Sequence, residues 1–136
     1  MEEHINWLAL AVAVAATQII GFVWYHPKVS GNLWKQEIGM TDERQKQTNM
    51  VLTMSLSVIL MFGVAYALRY VAHGEPQHHT FKHGAYHALM DGALLILPVI
   101  AITSLYEQKG IKYFGITAAY WLLNLTVIGG IISWWR

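Results

Sequence analysis

His83, His87 and Asp91 recur every four residues, so on a helix they stack along one face. Two imidazoles at that spacing can hold one cation, and an imidazole titrates near neutrality. A carboxylate one turn further on adds a ligand or a proton acceptor. His79 continues the spacing upstream and makes His79, His83 and His87 a candidate set for a divalent metal, with no other cofactor implied. Gly84, Ala88 and Gly92 run beside this stripe and form a groove that a second helix can enter. Three readings fit these residues: a His87–Asp91 hydrogen bond that fixes packing, a proton- or cation-handling site, and a transition-metal site.

The stripe opens a run of residues apolar enough to cross a membrane, where polar groups need a reason. An ionisable side chain at the bilayer centre costs roughly 2.5–3.5 kcal/mol on the insertion scale, and less toward the edge. Asp91 must therefore face a partner, the bundle or water. The composition agrees with this setting. The 136 residues are 55% hydrophobic and 12% charged, about half the charged share of a soluble domain. With a net charge of +1 and no basic patch, the chain is not built for nucleic acid. It has no cysteine, which excludes disulfides and thiolate chemistry.

Catalytic motifs are also missing. His83-Gly84-Ala85-Tyr86-His87 lacks the glutamate that a zinc protease carries after its first histidine. There is no nucleophile elbow, Walker loop or dinucleotide fingerprint. The expectation is a non-enzymatic binding, accessory or transport-related protein. The alternatives are a small ion, proton or metal permease component using His83, His87 and Asp91, and a membrane enzyme acting on a lipid-soluble substrate.

The elements that position the stripe are four apolar spans, at about 5–25, 42–72, 84–106 and 113–135, the second entering the membrane near residue 50. Each reaches roughly 20 residues, the length needed to cross a bilayer as a helix. Backbone groups in lipid must satisfy one another, so the spans are helices. The fold class is therefore an all-α, four-transmembrane-helix bundle, a polytopic integral membrane protein in a single domain, 1–136. Membrane lipids are its surroundings, and a homo-oligomer or a larger membrane complex is its expected assembly. The acidic start, Met1-Glu2-Glu3-His4, suits a retained first helix better than a cleaved signal.

Within the first span, Ala9, Ala13, Thr17 and Gly21 form a small face for close packing, with Gln18 beside it and Leu10 on another part of the surface. Residues 30–38 read as a short interfacial helix. Thr41 is a good N-cap, with Asp42 and Glu43 in the first turn that follows. Ser55, Ser57 and Gly63 are expected packing positions of the second span. Pro98 should kink the third span by removing a backbone hydrogen bond. Glu107 reads as the partner of Lys109 and Lys112 in a surface ion pair. Tyr120, Trp121 and Asn124 in the fourth span are candidates for a pocket that takes a lipid or quinone tail.

Basic residues set the orientation. The first and third loops hold Lys28, Lys35, Arg44, Lys46, Lys109 and Lys112; the other side holds Arg69, Lys82 and Arg136. Six against three places those loops in the cytoplasm and both termini outside. Trp7, Trp24, Trp34, Trp134 and Trp135 fall near the interfaces as an aromatic belt, whereas Trp121 lies about 12 Å into its helix.

Trp24-Tyr25-His26-Pro27 followed by Gly31, Trp34 and Gly39, with Asn6-Trp7 at the start, resembles the DUF1761 family of small bacterial membrane proteins. His83-Gly84-x-x-His87 is similar to the form found in its Bacteroidetes-type members. Leu105-Tyr106-Glu107 and Tyr120-Trp121 fit as well. His26 stands where many members have serine, and Ser30 where many have phenylalanine. The resemblance spans nearly the whole chain and implies a four-helix membrane protein; the expected location is the bacterial cytoplasmic (inner) membrane. It carries no activity over, because the family has no established biochemistry.

Overall fold

The structure, a computed structural model, describes residues 4–135. Glu2, Glu3 and Arg136, which enter the charge arguments above, lie outside the described residues. Among the described residues seven α-helices follow in order: α1 Trp7–Trp24, α2 Asn32–Ile38, α3 Asp42–Lys46, α4 Met50–Ala67, α5 Phe81–Asp91, α6 Leu97–Tyr106 and α7 Ile111–Trp134. A 3₁₀ turn, Leu68–Ala72, continues α4, and a π-helical segment, Gly92–Ile96, joins α5 to α6. Four units among the described residues are long and apolar enough to cross a membrane: Trp7–Trp24, Met50–Ala72, Phe81–Tyr106 and Ile111–Trp134. No strand occurs among the described residues.

α7 is the axis of the bundle, with α1 and α5 packed along it and α4 packed on α1. α1 and α7 run antiparallel and are tied at both ends. Asn6 caps α1 by accepting from the Ala9 N–H at 3.0 Å, and its Nδ2 donates to the Trp135 carbonyl at 3.0 Å. At the other end Trp24 Nε1 donates to the Ile116 carbonyl at 3.2 Å. The small face of α1 is buried: Ala9, Ala13 and Thr17 are 0% exposed. Gly21 lies under the Tyr120 ring. Leu10 is core as well, at 1% exposure, because the buried arc of α1 is wider than a single four-residue row.

The second span differs from expectation in two ways. It does not run unbroken from Asp42. α3 ends at Lys46, and Asn49 then caps a new helix by accepting from the Leu52 N–H at 3.1 Å. Its packing face is also set at a different phase. Met61, Ala65, Leu68 and Val71 are buried, while Ser55 and Gly63 are exposed. Gly63 lies two residues, about 200° of helix, from Met61 and so points away from the bundle.

Pro98 acts as its chemistry requires, but the distortion lies before it. Proline lacks the N–H that would bond the carbonyl four residues back. The backbone widens into a π turn over Gly92–Ile96, and Pro98 then falls in the first turn of α6, where no intrahelical N–H is needed.

Candidate functional site

The first loop explains the residues that carry the family resemblance. His26 Nδ1 accepts from the Lys28 N–H at 3.1 Å, and Pro27 starts a π-helical turn to Gly31. Ser30 donates to the Trp24 carbonyl. Gly31 is packed on the Tyr25 carbonyl so closely that a Cβ would overlap it. The Tyr25 ring is held edge-on between Trp34 at 5.1 Å and Tyr120 at 5.0 Å. Burial, then the neighbouring Tyr120 and Tyr113, pushes the Tyr25 hydroxyl well above the usual tyrosine range, so it stays protonated. Trp24, Tyr25, Pro27, Gly31 and Trp34 thus knit the end of α1 to α2 and α7.

The stripe lies on α5. Thr80 caps this helix by accepting from the His83 N–H at 3.1 Å. Gly84, Ala85, Ala88 and Gly92 are its buried face. Gly84 and Gly129 meet backbone to backbone, and a Cβ on either would overlap the other helix. The groove read from the sequence is therefore occupied by α7. That contact turns the stripe to the flank of the bundle, where His83, His87 and Asp91 are each half-buried.

The imidazoles form a file of rings. His78 and His83 stack with centroids 4.9 Å apart and 19° between planes, and His83 and His87 are 4.4 Å apart. Asp91 accepts a hydrogen bond from the Tyr70 hydroxyl, at the end of the second span. The expected His87–Asp91 bond is thereby replaced: the carboxylate turns to Tyr70, while His87 packs on His83 and, edge-on at 5.6 Å, on Tyr86. His78 and Tyr70 both lie off the four-residue repeat of the stripe. His78 is brought in by the turn Pro76–His78, and Ser133 Oγ at the end of α7 donates to its carbonyl at 3.3 Å.

His79 does not continue the stripe. It precedes the Thr80 cap, so it is off the helical repeat that aligns His83 with His87. No group of three or more His, Cys, Asp or Glu side chains among the described residues is placed to hold a metal ion. On the second span, the Arg69 guanidinium lies 4.0 Å over the Tyr66 ring, and Trp7 of α1 stacks with that ring at 6.1 Å.

The other candidate residues pack differently. Tyr120 and Trp121 meet edge to face at 5.7 Å, and Asn124 is 0% exposed in the core. Neither polar atom of its amide has a hydrogen-bond partner among the described residues. A cavity of 360 Å³ opens instead where α6 turns into α7. The ion pair expected at Glu107 is not formed: Lys109 faces the Tyr113 ring at 5.7 Å, and the ion pair among the described residues is Lys35–Asp42 at 3.9 Å.

Fold and site together define an all-α protein with four helices of membrane-spanning length and a polar stripe on the flank of the third. A family described as "Protein of unknown function (DUF1761)" matches residues 8–133, and the chain belongs to it. Comparison with curated proteins and with solved structures returns no match.

Proposed function

We propose that this chain is a non-enzymatic, transport-related subunit of the bacterial cytoplasmic membrane that handles protons or a small cation. Its working element is the file His78–His83–His87 with Asp91 and Tyr70 below it. Both termini lie outside, so the file leads inward from the outer surface. The observation that carries this reading is the Tyr70–Asp91 hydrogen bond. It places a carboxylate about 15 Å along the third span from Phe81, clasped yet half-exposed on the flank. A carboxylate there favours a second protein surface over lipid. A homo-oligomer or a larger complex would supply that surface.

The experiment is proton flux into liposomes carrying the purified protein and an internal pH dye. The wild type should collapse an imposed pH gradient faster than empty liposomes, and Asp91→Asn should remove the excess rate. Equal rates for wild type, Asp91→Asn and empty liposomes would reject the assignment.

A further inference from the structure

The cavity at the α6–α7 turn has a polar rim that the stripe does not use. Its walls are Ala101, Leu105, Ile111 and Phe114, and Lys109 and Gly110 stand at the turn. The turn is held by two backbone hydrogen bonds, Lys109 N–H to Ser104 at 2.9 Å and Gln108 N–H to Leu105 at 3.2 Å. These fix the Lys109 backbone at the cavity, and its ammonium faces the Tyr113 ring and has no carboxylate partner among the described residues. Glu37 of α2 brings a carboxylate oxygen to 3.2 Å from where a Cβ on Gly110, itself a lining residue, would stand. Gly110 also begins α7, whose first turn has no side-chain cap. The α7 dipole and the absence of a Cβ let the Glu37 carboxylate rest there.

One cation, one anion and an apolar trough thus meet at the ends of two spans, the level where lipid headgroups lie. A purely anionic lipid would satisfy Lys109 and be repelled by Glu37. A headgroup with both a phosphate and a primary ammonium satisfies both. We propose that the cavity binds one glycerophospholipid with a primary-amine headgroup, its phosphate on Lys109, its ammonium on Glu37 and an acyl chain between α6 and α7. The primary amine matters because three N–H donors can bond a carboxylate, which a quaternary ammonium cannot do.

The test reconstitutes the full chain in an equimolar mixture of ethanolamine, choline and glycerol phospholipids with the same acyl chains. Lipids retained after detergent extraction are then counted by native mass spectrometry. The ethanolamine lipid should be enriched several-fold in the retained fraction. Glu37→Gln should abolish its advantage over the choline lipid while phospholipid is still retained. Lys109→Gln should lower retention of all three. Ala101→Phe, which fills the trough and leaves the rim intact, should also lower retention, and helical circular dichroism checks that each variant folds. Preference for the glycerol lipid, no retained lipid, or unchanged selectivity in folded Glu37→Gln would each overturn the proposal. Proton flux through the stripe does not enter this readout, so the two assignments fail separately.

Discussion

Gly84 on α5 and Gly129 on α7 are in backbone contact: a Cβ added to Gly84 would overlap the Gly129 carbonyl, and one added to Gly129 would overlap Gly84. Small residues let helices approach in lipid, where packing rather than water drives association. Gly84→Ala or Gly129→Ala should therefore force α5 from α7 and destabilise the protein by about 1–3 kcal/mol. Gly115→Ala, with nothing within 4 Å of its Cβ, is the control and should be neutral. Thermal unfolding in detergent measures both; equal midpoints for Gly84→Ala and Gly115→Ala would contradict the close contact.

The Tyr70–Asp91 hydrogen bond predicts which pairs are coupled. Tyr70→Phe removes the donor and leaves the carboxylate without it, a loss of about 1–3 kcal/mol. In a double-mutant cycle, Tyr70→Phe with Asp91→Leu should show a coupling of at least about 0.5 kcal/mol. His87→Leu with Asp91→Leu should show less, because His87 packs on His83 and Tyr86. A larger coupling for the His87 pair would restore the His87–Asp91 bond as the structural unit.

Much of this architecture was legible in local sequence. Long apolar runs marked four spans, and the Ala9, Ala13, Thr17 row marked a buried packing face of α1, because period and residue size are local properties. The stripe was legible only as a spacing. That Asp91 turns to Tyr70 depends on where the second span ends beside α5, and the arrival of His78 depends on a turn before the helix. Neither has a local signature. Gly63 looked like Gly84 in sequence, yet only Gly84 faces a neighbour. The difference is the rotation of each helix about its axis, which tertiary packing decides.

Orientation rests on six basic residues in the first and third loops against three elsewhere. Cysteines introduced at Lys46 and at Gln77 should then label from opposite faces. Gln77→Cys should react with an impermeant reagent in intact cells, and Lys46→Cys only after lysis. The reverse pattern would invert the topology and put the stripe's entrance in the cytoplasm.

Gln108 is the non-glycine residue with positive φ among the described residues, at 56°. It ends α6 in the left-handed conformation, where a Cβ is strained and glycine is usual. Gln108→Gly should stabilise the turn by a few tenths to about 1 kcal/mol. Gln108→Val should destabilise it, since a β-branched side chain suits that conformation least. A lower midpoint for Gln108→Gly than for Gln108→Val would mean that the glutamine side chain, not the backbone, holds the turn.

Asn124 gives the sharpest test of what the core tolerates. Both polar atoms of its amide are buried without a hydrogen-bond partner among the described residues, in the helix at the centre of the bundle. An amide in that state costs about 1–3 kcal/mol relative to an apolar group of similar shape. Asn124→Leu should thus leave the midpoint unchanged or raise it, and Asn124→Val, which adds less bulk than leucine, guards against overpacking. Asn124→Asp should be far worse, because it buries a charge. A clear loss of stability in both apolar variants would show that the amide is bonded within the bundle. Unchanged or higher stability together with lost proton flux would instead assign Asn124 to the working element of the protein rather than to its packing.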